Sequence, residues 1–230
     1  MTSETDGQWK GMKLSNPNDV LTVPGPPPHG EAVLDFWRWA YGFLSDDPIK
    51  GEYAEWMVAK LLDIPTKPGS RIEGNDWDLI EQGVKIEVKA TAYWQAWKFR
   101  NQDGTWKSPD TSKPAPIRFA NLWTRKTLGP ISKADFKADV YVLCLQCEKD
   151  PRRWDALDLS QWTFFILTAH PLRSMKAERD RSWKNAEKSK SFGLSLKALR
   201  KSKAPELSAV DFKERALRLI ETIAAQQRGR

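Results

Sequence analysis

Apolar residues recur at helical spacing in three stretches of the chain, and these stretches predict helices. The first extends over about residues 31–44, and the second over about residues 49–62, directly after Pro48. The third extends over about residues 209–225. In each stretch the apolar side chains repeat every three or four positions, which places them on one face of a helix. We expect that face to contact the core.

Strict alternation of apolar and polar residues from Val84 to Lys89 predicts a β-strand. Residues 77–80 form a second strand candidate, and the intervening residues 81–83 are typical of a hairpin turn. Further strands are predicted at about residues 117–122, 138–145 and 162–167. The order of helices and strands predicts an α/β domain with a mixed central sheet flanked by helices.

The hairpin has two conceivable registers, and the side chains favour one of them. With Gln82-Gly83 as the two turn residues, Asp78 lies directly across from Glu87. In this register apolar residues face apolar partners: Leu79 pairs with Ile86, and Trp77 pairs with Val88. A three-residue loop would pair Asp78 with Ile86 and mix apolar and charged side chains on both faces. We therefore expect the two-residue turn.

The composition predicts a folded domain that follows a polar leader. The chain has 230 residues, of which 40% are hydrophobic and 29% charged, so a sizeable core is expected. Residues 1–29 are polar and contain Pro24, Pro26, Pro27 and Pro28, which predicts a flexible leader. We expect a single domain over residues 30–227.

Charge is concentrated in one part of that domain. The net charge is +7, and residues 171–203 hold eleven Lys or Arg against three acidic residues. Such a basic segment is either a solvated insertion or a surface that contacts phosphates. The overall basicity favours a polyanionic partner.

Several function classes are excluded by what the chain lacks. Only two histidines and two cysteines occur, which argues against zinc hydrolases and against a disulfide framework. We therefore expect a cytoplasmic setting. The Cys144-x-x-Cys147 motif ends a predicted strand without a second ligand pair, so packing is the favoured interpretation. Because no apolar run approaches the ~20 residues that span a bilayer, no membrane association is expected.

The predicted hairpin places chemically useful side chains together. Glu87 and Lys89 lie on one face of their strand, and Asp78 lies opposite Glu87. Two carboxylates so placed repel each other unless a cation lies between them. Oxygen ligands without His or Cys suit Mg²⁺ or Mn²⁺. Lys89 can orient an attacking water or neutralise a phosphate, and Glu52 or Glu55 on the preceding helix offers a third acid.

Each of these features also has an ordinary structural interpretation. Glu87-x-Lys89 alone is typical of a solvated sheet face, and Asp78 alone could be a strand-edge acid. Glu52 and Glu55 could form a solvated helix face. The combination of an acidic helix with an acidic hairpin favours a phosphodiester-hydrolysing site.

Asp78, then Glu87-Val88-Lys89, after a helix with Glu55, resembles the PD-(D/E)XK, or restriction-endonuclease-like, nuclease superfamily. The likeness extends from about Gly51 to Leu199 and is closest to a poorly characterised bacterial group within it. The stretches that carry it are Gly51-Glu52-Tyr53-Ala54-Glu55-Trp56, Trp77-Asp78-Leu79, Ile86-Glu87-Val88-Lys89-Ala90, Tyr93-Trp94-Gln95-Ala96-Trp97, Ala138-Asp139-Val140-Tyr141-Val142 and Asp155-Ala156-Leu157-Asp158-Leu159-Ser160-Gln161-Trp162.

The resemblance implies an α-β-β-β-α-β core with a metal site. It favours Glu55 over Glu52 and Asp78 over Asp76, and it adds Gln95 as a supporting polar group. Trp77 stands where the superfamily name has proline. The implied metal ligands are Asp78, Glu87 and Glu55, with Lys89 as the cation that orients water.

Together these features predict a Mg²⁺-dependent deoxyribonuclease, with Mn²⁺ able to substitute, that acts in host defence, restriction or DNA processing. Cleavage of both strands would favour a homodimer or a protein partner. A nucleic-acid-binding module on the same scaffold, either inactive or active only within a complex, is the alternative. An RNA-directed nuclease is a third interpretation.

Overall fold

The computed structural model describes residues 17–18, 32–44, 46–67, 71, 76–94, 105, 116–124, 136–150, 152–182 and 191–229. Its helices are α1 (Val33–Tyr41), α2 (Asp47–Leu61), α3 (Ala169–Ser182), α4 (Leu196–Lys201) and α5 (Ala209–Arg228). Its strands are β1 (Leu79–Glu81), β2 (Val84–Ala92), β3 (Arg118–Thr124), β4 (Val140–Gln146), β5 (Trp162–Thr168) and β6 (Ser191–Ser195). None of the helices in these ranges is both long and apolar enough to cross a membrane.

Four of these strands form a mixed sheet in the order β1-β2-β4-β5. The outer pairs β1–β2 and β4–β5 are antiparallel, whereas β2 and β4 run parallel. A parallel step requires the connection to return to the starting end of the sheet, and residues 93–139 make this return. All seven residues of β4 are buried, as expected for a central strand covered on both faces. The mixed α/β architecture predicted from the sequence is confirmed.

The β1–β2 hairpin has the predicted register. Gln82 and Gly83 form the turn with φ angles of 49° and 83°, and a two-residue hairpin turn of this kind requires two positive φ values. Leu79 pairs with Ile86. The predicted pairings of Asp78 with Glu87 and of Trp77 with Val88 are wrong, because the paired strand begins at Leu79 and the Asp78 N–H donates to the carbonyl of Ile86.

The side chain of Asp78 explains why the pairing stops there. Its Oδ2 accepts the main-chain N–H of Val88 at 2.7 Å, and that N–H would otherwise donate to the neighbouring strand. Trp77 instead lies against the Lys85 ammonium, 4.2 Å from the ring centre. Since Lys85 and Val88 point to opposite faces of β2, Trp77 leaves the face on which it was expected.

One face of the sheet packs against α2 and α5. The even-numbered residues of β2 from Val84 to Val88 are at most 4% exposed and face this layer. Ala54, Met57 and Val58 of α2 contact them in the same core, together with Phe212, Ala216, Ile220 and Ala224 of α5. The second and third helices predicted from the sequence are therefore confirmed, and their apolar faces contact the core.

The other face is covered by β3 and β6, which pair in a small separate sheet, and by α3 and α4. Gly193 of β6 is needed for this packing, because a Cβ there would lie 2.4 Å from the carbonyl oxygen of Phe119. The sequence identified residues 171–203 only as a basic segment. In the structure they contribute most of helix α3, strand β6 and helix α4 to the layer on this face of the sheet.

Helix α1 forms where the periodicity predicts a helix, but its expected contact with the core is wrong. None of its described side chains is buried, and Trp39 is 82% exposed. Periodicity predicts that a helix has an apolar face, whereas the partner of that face depends on tertiary structure. Of the predicted flexible leader, all residues except Pro17 and Asn18 lie outside the described residues.

Candidate active site

The end of the β1–β2 hairpin brings two acidic side chains together. Asp78 directly precedes β1, and Glu87 follows Ile86, the last residue of β2 that pairs with β1. Because Ile86 and Val88 point into the α2–α5 core, Glu87 points to the opposite face of the sheet. The alternation read from the sequence therefore places this acid as expected.

Lys89 stands beside Glu87 on the same face of β2 and forms an ion pair with its carboxylate. The side chain of Glu87 is only 16% exposed and that of Lys89 is 28% exposed, so the pair is largely screened from water. An ammonium held inside such a site is a compact positive charge with three donors. It can therefore neutralise an oxyanion that enters the site.

Asp78 is half-buried and accepts one strong hydrogen bond, from the N–H of Val88. Burial raises the pKa of Asp78 above its usual value, and the negative charge of Glu55 adds to the rise. The Val88 N–H, followed by the positive charges of Lys89 and Arg71, opposes it. Asp78 therefore lies within electrostatic reach of both acids and both cations of the site.

Glu87 shows the largest effect of this crowding. Burial raises the pKa of Glu87 to about 7, and the neighbouring charges of Asp78 and Glu55 contribute to the rise despite the opposing effect of Lys89. A carboxyl group with this pKa is only half ionised at neutral pH. Ionising Glu87 beside Asp78 is therefore costly without an additional cation.

Glu55 reaches the cluster from α2 and is held by Arg71. The Arg71 guanidinium donates to both oxygens of Glu55, at 2.8 and 3.4 Å, and lies 3.9 Å from an oxygen of Glu52. The resemblance implied that Glu55 is a metal ligand; in this arrangement its oxygens accept from Arg71. Its role as a ligand stays a prediction.

Two residues of the site were not found from the sequence. Arg71 lies in an aperiodic stretch between α2 and β1 that contains Pro65, Pro68 and Gly69, and nothing in the pattern links it to Glu55. Tyr141 pairs with Glu87 in the parallel register, so it borders the same face. Its position could have been found only by knowing that β2 and β4 are neighbours.

Tyr141 borders the site as an uncharged side chain. Its hydroxyl accepts the N–H of Ala138 at 3.3 Å. Burial and the negative charge of Glu87 raise the pKa of Tyr141 to about 12, against the lowering effect of the Ala138 N–H. The phenol therefore stays protonated at neutral pH and adds no charge to the acids beside it.

The donor set fits a hard divalent cation in its chemistry. Asp78 and Glu87 offer carboxylate oxygens, and Mg²⁺ is usually held by one or two carboxylates and several waters. Within the residues that the structure describes, no group of three Asp, Glu, His or Cys side chains is arranged to hold a metal ion. To serve as a third ligand, Glu55 would have to leave Arg71. Gln95, the predicted supporting group, lies outside the described residues.

The two cysteines take no part in this cluster. Cys144 is fully buried in β4, and burial raises the pKa of its thiol. Cys147 donates to the hydroxyl of Thr163 at 3.1 Å. Both are free thiols, which agrees with the interpretation of this motif as packing.

Part of the basic segment stabilises the second sheet. Arg173, Lys176 and Arg179 of α3 lie over aromatic rings, at 5.9, 4.3 and 4.9 Å from the ring centres of Phe136, Trp123 and Phe192 respectively. Lys176 and Arg179 also pair with Asp180 at 2.5 and 2.6 Å. These cations therefore have a structural role, and contact of the segment with DNA stays a prediction.

The chain matches no known protein family with which it was compared, and no curated protein shows significant sequence similarity to it. Its function is therefore inferred from the site.

Proposed function

We propose that this protein is a Mg²⁺-dependent nuclease that hydrolyses phosphodiester bonds of DNA, with Mn²⁺ able to replace Mg²⁺. The observation that carries the proposal is the half-buried pair Asp78 and Glu87, both with raised pKa values, next to the Lys89 ammonium. Two neighbouring carboxyl groups beside one lysine are an arrangement that a divalent cation would stabilise.

In this proposal Asp78 and Glu87 hold the cation, with water in its other coordination positions. The ion, when bound, lowers the pKa of a coordinated water and polarises a phosphate oxygen. Lys89 would then leave Glu87 for the reacting phosphate, where its ammonium neutralises charge that develops during attack. Tyr141 excludes water from the floor of the site, and Gln95 would support it.

The scaffold gives partial support. An acidic hairpin follows helix α2 and lies in a mixed sheet with helices against it, as a restriction-endonuclease-like core requires. The described elements depart from the order α-β-β-β-α-β, because β3, β4 and β5 all precede α3, and β3 lies in the second sheet. We therefore base the proposal on the side chains of the hairpin.

We place this activity in restriction, defence or DNA processing in the cytoplasm. For cleavage of both strands we propose a homodimer or a protein partner.

The test is cleavage of plasmid, linear duplex and single-stranded DNA, and of RNA, with Mg²⁺, Mn²⁺ or EDTA. Two variants probe the site: Lys89→Ala, and Asp78→Asn, whose amide oxygen can still accept the Val88 N–H. We expect metal-dependent cleavage of DNA by the wild type and its loss in both variants. Equal cleavage by the wild type and both variants would falsify the assignment.

The alternative is a nucleic-acid-binding module that does not cleave by itself. The observation that favours it is that Glu87 already pairs with Lys89 and Glu55 already pairs with Arg71, so both acids have a cationic partner within the protein. Salt-sensitive binding of DNA without cleavage under any metal condition would support this function. Cleavage of RNA alone would instead identify an RNA-directed nuclease.

A further inference from the structure

Arg71 is the most solvent-exposed member of the charged cluster. Its side chain is 47% exposed, compared with 16% for Glu55, to which it is bound. Its positive charge also acts on Asp78, which lies at the end of the hairpin. The guanidinium therefore borders the acidic site on its solvent side, where a substrate would approach.

The guanidinium is held by one close pair and one long contact. It donates to Glu55 at 2.8 and 3.4 Å, while Glu52 lies at 3.9 Å and is itself 38% exposed. The contact with Glu52 contributes little to stability, because it is long and both side chains are exposed to solvent. A phosphate can compete for the donors of Arg71, because its oxygens match the planar fork as a carboxylate does.

We propose that Arg71 is a phosphate-binding residue of this site and passes from Glu55 to a phosphate of the bound nucleic acid strand. This inference rests on the proposed function, since it assigns the substrate's phosphate to the same site. Release from Arg71 would also free the oxygens of Glu55 for the cation. Lys89, enclosed and bound to Glu87, serves the reacting phosphate, and Arg71 contacts the strand from the solvent side.

The salt dependence of DNA affinity distinguishes this role from a purely structural ion pair with Glu55. A lost phosphate contact reduces that dependence, with a slope smaller by about 0.9 in log–log form for each contact on duplex DNA. A residue that merely holds Glu55 in place would leave the slope unchanged. Under either role, removal of a positive charge beside carboxylates raises their affinity for a divalent cation.

The experiment measures binding of a fluorescein-labelled 20-bp duplex by anisotropy in Mg²⁺ at several KCl concentrations. The full chain carries Lys89→Ala to prevent cleavage, and Arg71→Ala, Arg71→Lys or Arg152→Ala is added to it. Arg152 is the matched control, since it makes a similar two-point pair with Asp150 at 2.9 and 3.0 Å but lies in the loop after β4. Calorimetry with Mn²⁺ alone measures cation affinity.

For Arg71→Ala we expect about ten-fold weaker DNA binding, a salt slope lower by about 0.9, and tighter Mn²⁺ binding. Arg71→Lys should restore the slope but only part of the affinity, because it keeps the charge without the fork. Arg152→Ala should match its parent. An unchanged slope in Arg71→Ala overturns the inference. Absence of cleavage by the wild type contradicts the nuclease instead, and leaves the slope comparison intact.

Discussion

Two groups of acids in this molecule have opposite electrostatic behaviour. In the loop after β4, Glu148, Asp150 and Asp158 have lowered pKa values; that of Asp150 falls to about 2, mainly through hydrogen bonds from Arg152. In the hairpin site, burial raises the pKa values of Asp78 and Glu87, and the negative charge of Glu55 adds to both rises. Both groups contain neighbouring carboxylates, but only those of the hairpin site have too few hydrogen-bond donors to stabilise their charges.

The number of donors accounts for the difference. One oxygen of Glu148 accepts the N–H groups of Lys149 and Asp150 at 2.7 and 2.8 Å, and Asp158 accepts both the N–H and the hydroxyl of Ser160. Such carboxylates are already stabilised as anions by the loop that they organise. A cluster of acids therefore indicates a cation site when its members are largely screened from water and accept few hydrogen bonds.

The largest expected effect is on catalysis. Glu87→Gln should reduce the rate of Mg²⁺-dependent DNA cleavage by about a thousand-fold or more, because a neutral amide neither attracts the cation nor positions Lys89. Asp150→Asn in the loop should leave the rate within about two-fold. Single-turnover cleavage of labelled duplex measures both. Similar losses in the two variants would mean that the comparison does not separate function from structure.

A smaller effect is expected on stability and its pH dependence. The folded protein binds the Glu87 proton more tightly than the unfolded chain, since its pKa is raised from 4.5 to about 7. The contribution of Glu87 to stability is therefore full below pH 4.5 and is lost as the pH rises towards 7. At pH 8 in EDTA, Glu87→Gln should raise the free energy of unfolding by at most about 3 kcal/mol.

Urea denaturation at pH 5.5 and pH 8 measures this difference, and the gain from Glu87→Gln should be smaller at the lower pH. For Asp150→Asn, we expect the opposite pH dependence of stability. Because its pKa is lowered, Asp150 stabilises the folded state above its ordinary pKa and loses this effect as the pH falls towards 2. A Glu87→Gln variant that is less stable than the wild type at pH 8 would contradict the raised pKa.

The smallest expected effect is in the loop. Arg152→Ala should change the melting temperature by less than about 2 °C, because the arginine side chain is 74% exposed. The pKa of Asp150 should nevertheless move up towards its ordinary value, since the Arg152 hydrogen bonds are the main cause of the shift. NMR titration of the Asp150 carboxyl measures it. A pKa that stays near 2 would show that main-chain donors alone suffice.

The sequence was informative where a local rule fixes geometry. Gln82-Gly83 specify the turn through their positive φ values, and alternation along β2 then separates Ile86 from Glu87. Both rules act over a few residues and need no knowledge of the fold. The helices α2 and α5 were predictable for the same reason.

What could not be predicted depends on contacts between distant segments. Arg71 meets Glu55 across a stretch without periodicity, and Tyr141 borders Glu87 only because β4 is parallel to β2. The pairing of β3 with β6 joins residues about seventy positions apart. Aromatic helix α1 shows the converse, since its clear periodicity did not correspond to a buried face.

The hydrogen bond from Val88 to Asp78 has a stereochemical consequence for any bound ion. With Oδ2 occupied by a peptide N–H, Asp78 would offer its other oxygen, end-on, to the proposed cation. End-on carboxylates suit the small octahedron of Mg²⁺ at about 2.0–2.1 Å, whereas Ca²⁺ often takes both oxygens of a carboxylate at about 2.3–2.6 Å. The main-chain N–H of Val88 would thus favour the smaller Mg²⁺ over Ca²⁺.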